Sequence, residues 1–343
     1  MSILKDKHIL LTGAGGFIGS RLAHRLVESG AHVRAFVRYN SRADTGLLRY
    51  LPPEILSQIE IIFGNITDFE ALESATSYQL PATSCDLTLH LGALISIPYS
   101  YLHPLEVIDS NITGTLNVLQ ACRKHGIPLV HTSTSEVYGT AQYVPIDEIH
   151  PLQGQSPYSA SKIGADKLVE AWYRSFDVQS VTVRPFNTYG PGQSGRAVIP
   201  TIITQALTGD SIHLGSLDTR RDFTFVDDTV NGFIRAAEAL LDPESSADVV
   251  GQTFNLGTGT EVTIAEITKT ILHLLDKDKL PVVSDKERIR PEKSEVQRLL
   301  SDNRKAGIHL GWRPATSLDD GLALTIDWIR SHLDLYRPGT YER

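Results

Sequence analysis

The chain has 343 residues, a formal net charge of −8, 41% hydrophobic residues and 21% charged residues. This length and apolar content supply a core for more than one domain, and the acidic balance disfavours nucleic-acid and anionic-membrane partners, which normally face a basic surface. No apolar run reaches the roughly 18–20 residues that a membrane span requires, and the N-terminus leads directly into a strand without a signal-peptide layout. We therefore expect a cytoplasmic protein with no membrane partner and no nucleic-acid partner.

Metal-ligating residue types are present but are not grouped. The two cysteines, Cys85 and Cys122, are interpreted as reduced thiols. The twelve histidines show no metal-ligand spacing, so we expect no metal site.

Short apolar runs alternate with amphipathic helical stretches over the first half of the chain, which is typical of a parallel sheet covered on both faces. The predicted strands cover 8–12, 33–37, 60–63, 88–91, 129–132 and 180–184, and the predicted helices cover 17–29, 109–125 and 159–175. Further along, 223–241 and 253–256 are predicted as a helix and a strand that return to the same sheet.

A glycine-rich turn joins the first strand to the first helix, reading Thr-Gly-Ala-Gly-Gly-Phe-Ile-Gly over 12–19. Gly13, Gly16 and Gly19 allow a tight turn, a close backbone approach to a pyrophosphate and close helix–strand packing. The helix N-terminus then presents unpaired N–H groups to the phosphates. Because strand, turn and helix follow in this order, the pattern predicts a bound dinucleotide rather than an ordinary turn.

The end of the second strand selects between two cofactors. An acidic residue there hydrogen-bonds the ribose 2′-hydroxyl of NAD, whereas an arginine accepts the 2′-phosphate of NADP. The chain reads Val-Arg-Tyr-Asn-Ser-Arg over 37–42, with no acid. Arg38 therefore favours NADP, with NAD as the alternative and a solvated loop arginine as the competing interpretation.

Tyr158 and Lys162 lie four residues apart, so they share one face of the predicted helix. A lysine ammonium beside a tyrosine hydroxyl stabilises the phenolate and lowers a pKa that is normally about 10. Such a tyrosine takes a proton from a sugar hydroxyl while the carbon gives a hydride to nicotinamide. A surface tyrosine and lysine would be the unremarkable alternative, but the pair follows the glycine-rich βαβ units at the expected place.

The alternation of strands and helices weakens after Pro185, and glycine and proline cluster at 190–195. We therefore predict an α/β fold with a Rossmann-type doubly wound parallel sheet and a smaller, discontinuous C-terminal substrate-binding domain. The Rossmann domain is predicted over 1–184 and is completed by about 223–256. The substrate-binding domain is predicted over 185–222 and 257–343.

These features, together with further motifs, resemble the extended short-chain dehydrogenase/reductases, the family of NAD-dependent nucleotide-sugar epimerases and dehydratases. The further motifs are Leu-His-Leu-Gly-Ala over 89–93, Ser-Thr-Ser-Glu-Val-Tyr-Gly over 133–139, Arg-Pro-Phe-Asn-Thr-Tyr-Gly-Pro over 184–191 and Arg-Asp-Phe over 221–223. The resemblance covers nearly the whole chain. It implies a tightly bound, recycled NADP or NAD and a nucleotide-diphosphate sugar as substrate.

Within that family, residues 134–136 narrow the reaction. Thr134 matches the hydroxyl residue that hydrogen-bonds the sugar near C4, and Glu136 matches the glutamate of 4,6-dehydratases. The dTDP-glucose type has an aspartate where this chain has Ser135, which is a departure. GDP-mannose 4,6-dehydratases and UDP-glucuronate decarboxylases also read Thr-Ser-Glu.

The resemblance favours a 4,6-dehydratase, which oxidises C4, loses water across C5–C6 and returns the hydride to C6. Segments 139–148, 151–157 and 290–296 look like dehydratases of the legionaminic pathway, which act on nucleotide-activated N-acetylglucosamine. A UDP-glucuronate decarboxylase and a nucleotide-sugar 4-epimerase are the alternatives within the family. A non-catalytic NAD(P)-sensing protein is a remote alternative, because such proteins typically lose the Tyr–Lys pair.

The resemblance also assigns the remaining site residues. Expected catalytic residues are Thr134, Glu136, Tyr158 and Lys162. Expected cofactor contacts are Gly13, Gly16, Phe17, Ile18, Gly19, Arg38, Asn65, Ile66, Leu91, Gly92, Ala93, Thr132, Tyr158, Lys162 and Pro185. Expected substrate contacts are Ser135, Asn187, Val198, Arg221 and Arg290. Asn187, Arg221 and Arg290 are expected at the pyrophosphate or ribose, with a structural ion pair as the competing interpretation. Because helices 109–125 and 159–175 build the dimer of the family, we expect a homodimer through a four-helix bundle.

Overall fold

The computed structural model describes residues 2–77, 85–285, 288 and 291–336. Its strands are β1 (His8–Thr12), β2 (His32–Arg38), β3 (Ile59–Gly64), β4 (Leu87–His90), β5 (Leu129–Thr132), β6 (Ser180–Pro185), β7 (Asn187–Tyr189), β8 (Ile212–Leu214), β9 (Arg220–Arg221), β10 (Phe223–Phe225), β11 (Thr253–Leu256), β12 (Val262–Thr263) and β13 (Val282–Ser284). Its α-helices are α1 (Phe17–Glu28), α2 (Pro53–Leu56), α3 (Phe69–Thr76), α4 (Ile97–Leu102), α5 (Pro104–Ile108), α6 (Gly114–His125), α7 (Pro157–Phe176), α8 (Val198–Thr208), α9 (Val226–Leu241), α10 (Ser246–Val249), α11 (Ile264–Leu274), α12 (Arg304–His309) and α13 (Leu318–Ser331). Short 3₁₀ turns cover Gly46–Tyr50, Ser135–Tyr138, Glu292–Ser294 and Leu333–Leu335, and a π-helical turn covers Asp109–Thr113.

A seven-stranded parallel sheet forms the centre, in the order β11-β6-β5-β4-β1-β2-β3. Successive residues of a strand point to opposite faces, and in β1 Ile9 and Leu11 join one apolar cluster while Leu10 joins another. The first cluster includes residues of α1 and α9, and the second includes residues of α3, α6 and α7. The predicted doubly wound α/β sheet is therefore confirmed.

The strand order places a ligand crevice beside β1. From β1 the chain builds outward to β2 and β3 on one side, and β4, β5, β6 and β11 lie on the other. In open parallel sheets, ligands bind outside the carboxyl ends of the strands where the order reverses. The glycine-rich turn after β1 lies at this position.

Two predicted helices differ from the structure. The segment predicted over 109–125 is regular only in α6, because Asp109–Thr113 forms a π-helical turn that connects it to α5. The segment predicted over 223–241 begins with β10, whose residues pair in parallel with β7 before α9 starts at Val226. The pairing with β7 overrides the local helical pattern.

The C-terminal part surrounds the carboxyl side of the sheet with small strand pairs, β7–β10, β8–β13 and β9–β12. Helices α8, α11 and α13 pack together there. Residues 253–256 do return to the central sheet as β11, beside β6, whereas the bounds of a separate substrate-binding domain stay a prediction. Among the described helices, none combines the length and apolar character needed to cross a bilayer.

Candidate active site

A cavity of about 1320 Å³ opens at the carboxyl ends of the central strands. Most of the predicted site residues line it: Gly13, Gly16, Phe17, Ile18, Gly19, Arg38, Asn65, Ile66, Leu91, Gly92, Ala93, Thr132, Thr134, Ser135, Glu136, Tyr158, Pro185, Asn187, Val198 and Arg221. Lys162 lies behind this lining, and Arg290 lies outside the described residues. The structure thus brings residues from positions 13 to 221 to one cavity, while their individual roles stay predictions.

The glycine-rich turn packs so closely against the neighbouring backbone that it has no room for side chains. Gly13 has φ +70°, and a Cβ built there would lie 2.7 Å from the backbone carbon of Leu91. A Cβ on Gly16 would lie 3.2 Å from the Gly13 oxygen. Gly16 is also the N-cap of α1 and carries no side chain to cap the helix, so the N–H groups of the first turn are open to an anion. This cradle fits the pyrophosphate of a dinucleotide.

Three buried polar atoms of the lining find no hydrogen-bond partner within the described part of the chain. They are Thr132 Oγ1, Asn187 Oδ1 and Gln193 Oε1. Buried polar atoms are nearly always paired in folded proteins, so these three indicate positions where bound molecules supply the missing partners. Gln193 was not among the residues predicted from sequence.

The rim next to β2 carries both signs of charge. Arg38 is 70% exposed, and its Nη2 lies 3.3 Å from Glu106 Oε1 of α5. Asp44, two residues after the segment 37–42, also lines the cavity and accepts hydrogen bonds from the Gly46 amide and from Arg49. Neither acid was predicted from sequence, although Asp44 lies close to that segment. Asn65 closes its own turn by accepting a hydrogen bond from the Thr67 amide at 3.2 Å.

Tyr158 is presented to the cavity by the first turn of α7. The helix begins at Pro157, and Ser156 and Ser159 form reciprocal capping hydrogen bonds that fix this start. Tyr158 and Thr134 both line the cavity. One helical turn later, Lys162 Nζ donates to the carbonyl oxygen of Thr132 at 2.7 Å.

The pKa values of this pair differ from the sequence prediction. Burial raises the pKa of Tyr158 well above its usual value; the Thr134 hydrogen bond opposes this, and the charge of Glu136 adds to it. Burial lowers the pKa of Lys162 to about 8, with Asp166 acting in the opposite direction. The pKa of Tyr158 in the protein alone therefore moves in the direction opposite to the expectation, because desolvation outweighs the lowering effect of Thr134.

Glu136 belongs to the 3₁₀ turn Ser135–Tyr138 that follows β5. Thr134 caps this turn by accepting a hydrogen bond from the Glu136 amide at 3.2 Å. A hydroxyl, a carboxylate and a phenol thus face one cavity from adjacent positions. Such a set of groups moves protons at neighbouring atoms of one substrate.

The opposite wall contains Asn187, Val198 and Arg221. Arg221 Nη2 forms an ion pair with Glu295 Oε1 at 3.2 Å, and Glu295 lines the cavity as well. Sequence reasoning also missed Arg196 and Arg288 of this lining. Arg196 follows the glycine- and proline-rich stretch that was noted only as a change of pattern.

Comparisons with known proteins agree with this geometry. A family model described as GDP-mannose 4,6 dehydratase matches residues 10–325. A dTDP-glucose 4,6-dehydratase of Mycobacterium tuberculosis is 31% identical over 96% of this chain and 95% of its own length. A UDP-glucose 4-epimerase of Mycolicibacterium smegmatis is 30% identical over 94% of this chain and 98% of its own.

Among solved structures, a double mutant of a dTDP-glucose 4,6-dehydratase from Streptomyces venezuelae, with NAD bound, superimposes with a TM-score of 0.81 at 27% identity. The match covers 96% of this chain and 98% of that one. This similarity supports the predicted nicotinamide dinucleotide, and the choice between NAD and NADP stays a prediction.

Proposed function

Because the chain belongs to the GDP-mannose 4,6-dehydratase family, we propose that it is a nucleotide-sugar 4,6-dehydratase that converts an NDP-hexose to its 4-keto-6-deoxy form. Family membership confirms the predicted group of NAD-dependent epimerases and dehydratases and the predicted class of enzyme, an NAD(P)-dependent nucleotide-sugar dehydratase. The observation that carries the reaction is the carboxylate of Glu136, which shares the cavity with Thr134 and Tyr158. An epimerase needs only the oxidation and reduction at C4, whereas water loss also needs a group that moves the C5 proton.

The cofactor occupies the part of the cavity next to α1 in this proposal. A nicotinamide dinucleotide, when bound, supplies an acceptor for a hydride and, once reduced, a hydride donor. Gly13, Gly16 and Gly19 hold its pyrophosphate through the close approach that their missing side chains allow. Thr132 and Pro185, at the ends of β5 and β6, line the path from this turn toward Tyr158.

Tyr158 acts first, at the C4 hydroxyl. It removes the proton from the oxygen while the C4–H bond gives up a hydride, so the carbon becomes a ketone. The Thr134 hydroxyl orients the same oxygen, and the Lys162 ammonium behind Thr132 favours the ionised phenol that this step requires. Burial raises the pKa of Tyr158 in the protein alone, so the step requires stabilisation of the phenolate, a role that we assign to this ammonium.

Glu136 acts second, at C5 and C6. The C4 ketone acidifies the C5 proton, which the carboxylate of Glu136 removes, and the resulting carboxylic acid protonates the departing C6 hydroxyl. Two protons leave the sugar, one from O4 and one from C5; one departs in the water and the other returns to C5. The hydride taken from C4 ends on C6, so the sugar loses water with no net oxidation.

For the substrate, we propose a nucleotide-activated N-acetylglucosamine, on the basis of the segments at 139–148, 151–157 and 290–296 that resemble such dehydratases. The wall that carries Asn187, Val198 and Arg221, within the proposed substrate-binding domain, binds the sugar and diphosphate. Arginine suits this role because its planar guanidinium binds phosphate oxygens in pairs. The dTDP-glucose 4,6-dehydratase and the UDP-glucose 4-epimerase described above are named for glucose nucleotides, so the sugar requires a direct test.

The test is incubation of the purified protein with dTDP-glucose, UDP-glucose, UDP-N-acetylglucosamine, GDP-mannose and UDP-glucuronate, followed by mass spectrometry. Loss of water from UDP-N-acetylglucosamine supports the full proposal, and loss of water from another sugar supports the reaction alone. Carbon dioxide loss from UDP-glucuronate without any water loss would establish the decarboxylase instead. Interconversion of C4 epimers without water loss would establish the second candidate, a 4-epimerase, which the similarity to UDP-glucose 4-epimerases favours.

Two further properties belong to this proposal. We propose NADP as the preferred cofactor, because Arg38 and Arg42 line the rim beside β2.

We also propose a homodimer, because α5 and α6 pack against α7 and Leu105 of α5 is 74% exposed. Leu102 and Ile108, three residues before and after it, are exposed as well, and several exposed apolar side chains close together are typical of an interface.

A further inference from the structure

The segment that carries Glu136 is tied at both ends to one buried ion pair. We propose that the pair, Asp166 with Arg184, is a positioning element that fixes the 3₁₀ turn Ser135–Tyr138 and so aims Glu136 at the substrate. This inference rests on the proposed dehydratase reaction, in which Glu136 moves the C5 proton. Neither residue of the pair lines the cavity within the described part of the chain.

At its N-terminal end, the segment is held by a hydrogen bond between Ser133 and Asp166. Asp166 Oδ2 accepts a hydrogen bond from Ser133 Oγ at 2.7 Å and from Arg184 Nη2 at 2.9 Å. Its other oxygen lies 3.2 Å from His131 Nε2. Ser133 precedes the turn by two residues, so the carboxylate of Asp166 determines where the chain leaves β5.

At its C-terminal end, the segment is held by a hydrogen bond between Arg184 and Tyr138. Arg184 Nη1 donates to the Tyr138 hydroxyl at 2.9 Å, and that hydroxyl donates to Asn255 Oδ1 of β11 at 2.8 Å. Tyr138 is the last residue of the turn and is fully buried. One guanidinium therefore joins the carboxylate that holds the start of the segment to the phenol that holds its end.

Net stability alone does not explain such a pair. A buried ion pair gains little over well-packed apolar residues, because desolvation of both charges offsets their attraction. A pair with all its partners satisfied does specify directions, since each donor and acceptor admits a narrow range of geometry. Here the pair has three partners: His131 in β5, Ser133 just after that strand, and Tyr138 at the end of the following turn. That turn carries the proposed acid–base group.

The same aspartate also faces the Tyr158–Lys162 pair. Asp166 lies one helical turn after Lys162 on α7, and Lys162 donates to Thr132, the residue before Ser133. The other titratable groups facing Lys162 in the described chain are His90 and His131, whose pKa values burial lowers, so both imidazoles are neutral near pH 7. The charge of Asp166 therefore supports the ammonium form of Lys162.

The experiment compares Tyr138→Phe and Asp166→Asn with two matched buried controls. Tyr189→Phe removes a buried hydroxyl that donates to Leu318, and Asp228→Asn removes a buried carboxylate that accepts from the amides of Ala315 and Thr316. Neither control residue touches the segment that carries Glu136. Wild type and variants are assayed for water loss with dTDP-glucose, UDP-glucose and UDP-N-acetylglucosamine, for exchange of the C5 proton in D₂O, and for cofactor reduction in a single turnover.

We expect Tyr138→Phe to slow C5 exchange and water loss while cofactor reduction stays close to wild type. Asp166→Asn is expected to lower kcat by on the order of 100-fold, the effect of misplacing a reacting group by about 1 Å, with KM nearly unchanged. The dependence of kcat on pH separates a positioning role from a purely structural one. We expect the limb that reports deprotonation of Lys162 to shift to lower pH in this variant, because the neighbouring negative charge is gone. The two controls should leave rates and pH profile unchanged.

The proposal is overturned if Tyr138→Phe and Asp166→Asn fold and match their controls in kcat, C5 exchange and pH profile. If Asp166→Asn fails to fold because Arg184 is left buried and unpaired, Tyr138→Phe, which keeps the ion pair, decides the outcome alone. If the wild-type protein turns over and the variants match its rates, only the positioning role is overturned. A wild-type protein that loses water from no sugar overturns the proposed function and this inference together.

Discussion

The ammonium of Lys162 donates a hydrogen bond to the backbone oxygen of Thr132 at 2.7 Å. Thr132 ends β5 and lines the cavity, whereas Lys162 lies behind it on α7. The positive charge is thus held against the cavity wall by the backbone, one helical turn from Tyr158. In the proposed mechanism, this arrangement supplies the charge that a buried tyrosine needs to ionise.

The first prediction concerns Glu136. Glu136→Gln keeps the size of the side chain but removes its ability to take a proton, so water loss and C5 exchange should fall by about 100-fold or more. Cofactor reduction at C4 should persist, because Tyr158 and Lys162 are untouched. Single-turnover absorbance and mass spectrometry measure the two steps separately, with the exposed Glu70→Gln of α3 as control. Full turnover by Glu136→Gln would remove Glu136 from the mechanism.

The second prediction concerns the backbone of the glycine-rich turn. Gly13 and Gly126 have nearly the same φ, +70° and +67°, but a Cβ on Gly13 would meet the backbone of Leu91 at 2.7 Å whereas a Cβ on Gly126 meets nothing within 4 Å. Gly126→Ala should lose about 1–2 kcal/mol of stability from the left-handed backbone, and Gly13→Ala should lose more because the backbone must also shift. Gly13→Ala alone should also lose bound nicotinamide dinucleotide, measured by its release on denaturation. Equal cofactor content in the two variants would contradict the assignment of the pyrophosphate cradle.

Cofactor choice gives the third prediction. Arg38→Ala should reduce affinity for NADP more than affinity for NAD, because the guanidinium is proposed to bind the 2′-phosphate. Glu106→Gln should have the opposite effect, since it removes the carboxylate 3.3 Å from Arg38. Fluorescence titration of the cofactor-stripped protein with each dinucleotide measures both. If Arg38→Ala leaves the ratio of the two affinities unchanged, another residue selects the cofactor.

The fourth prediction follows from the pKa of Asp166, which hydrogen bonds from His131 and Ser133 and the charge of Arg184 lower to about 2, against the opposing effect of burial. The folded-state pKa lies below the unfolded value, so the charged carboxylate stabilises the fold above about pH 4 and this contribution is lost as the pH falls toward 2. Wild type should lose on the order of 2 kcal/mol more than Asp166→Asn over this interval. Urea unfolding at several pH values measures the difference. Parallel curves for the two proteins would show that Asp166 does not titrate in this way.

The fifth prediction addresses assembly. Leu105→Glu should convert the proposed dimer to a 37.7 kDa monomer in light scattering, because it places a charge within an apolar interface. Leu324→Glu on α13 is the matched control, since that leucine is also exposed, at 52%, and lies on a different helix. A wild-type protein that scatters as a monomer at micromolar concentration would contradict the dimer.

Local features of the chain were predictable from sequence because their causes are local. Strands β1, β5 and β11 have the predicted bounds, since each is a short apolar run between clear breaks. The glycine-rich turn was predictable because the need for glycine arises from the local backbone at each position. Tyr158 and Lys162 were predictable as a pair because helical spacing alone puts them on one face.

Long-range contacts determine the features that could not be predicted from sequence. Residues 223–225 were predicted as helix and are strand, because their partner, β7, is more than 30 residues away. Glu106 reaches Arg38 across 68 positions. Desolvation, which no spacing rule measures, reversed the expected direction of the Tyr158 pKa.

The sequence by itself therefore predicted a dinucleotide site at the turn after β1, and it showed a Tyr–Lys pair and a glutamate typical of the epimerase/dehydratase family. Only the tertiary structure decided that Lys162 lies against the backbone of Thr132, and that Asp166 and Arg184 hold the turn of Glu136 from both ends. The physical reason is that backbone conformation and helical spacing are encoded by neighbouring residues. Burial and the hydrogen bonds that compensate it exist only once β5, β6, α7 and β11 have packed together.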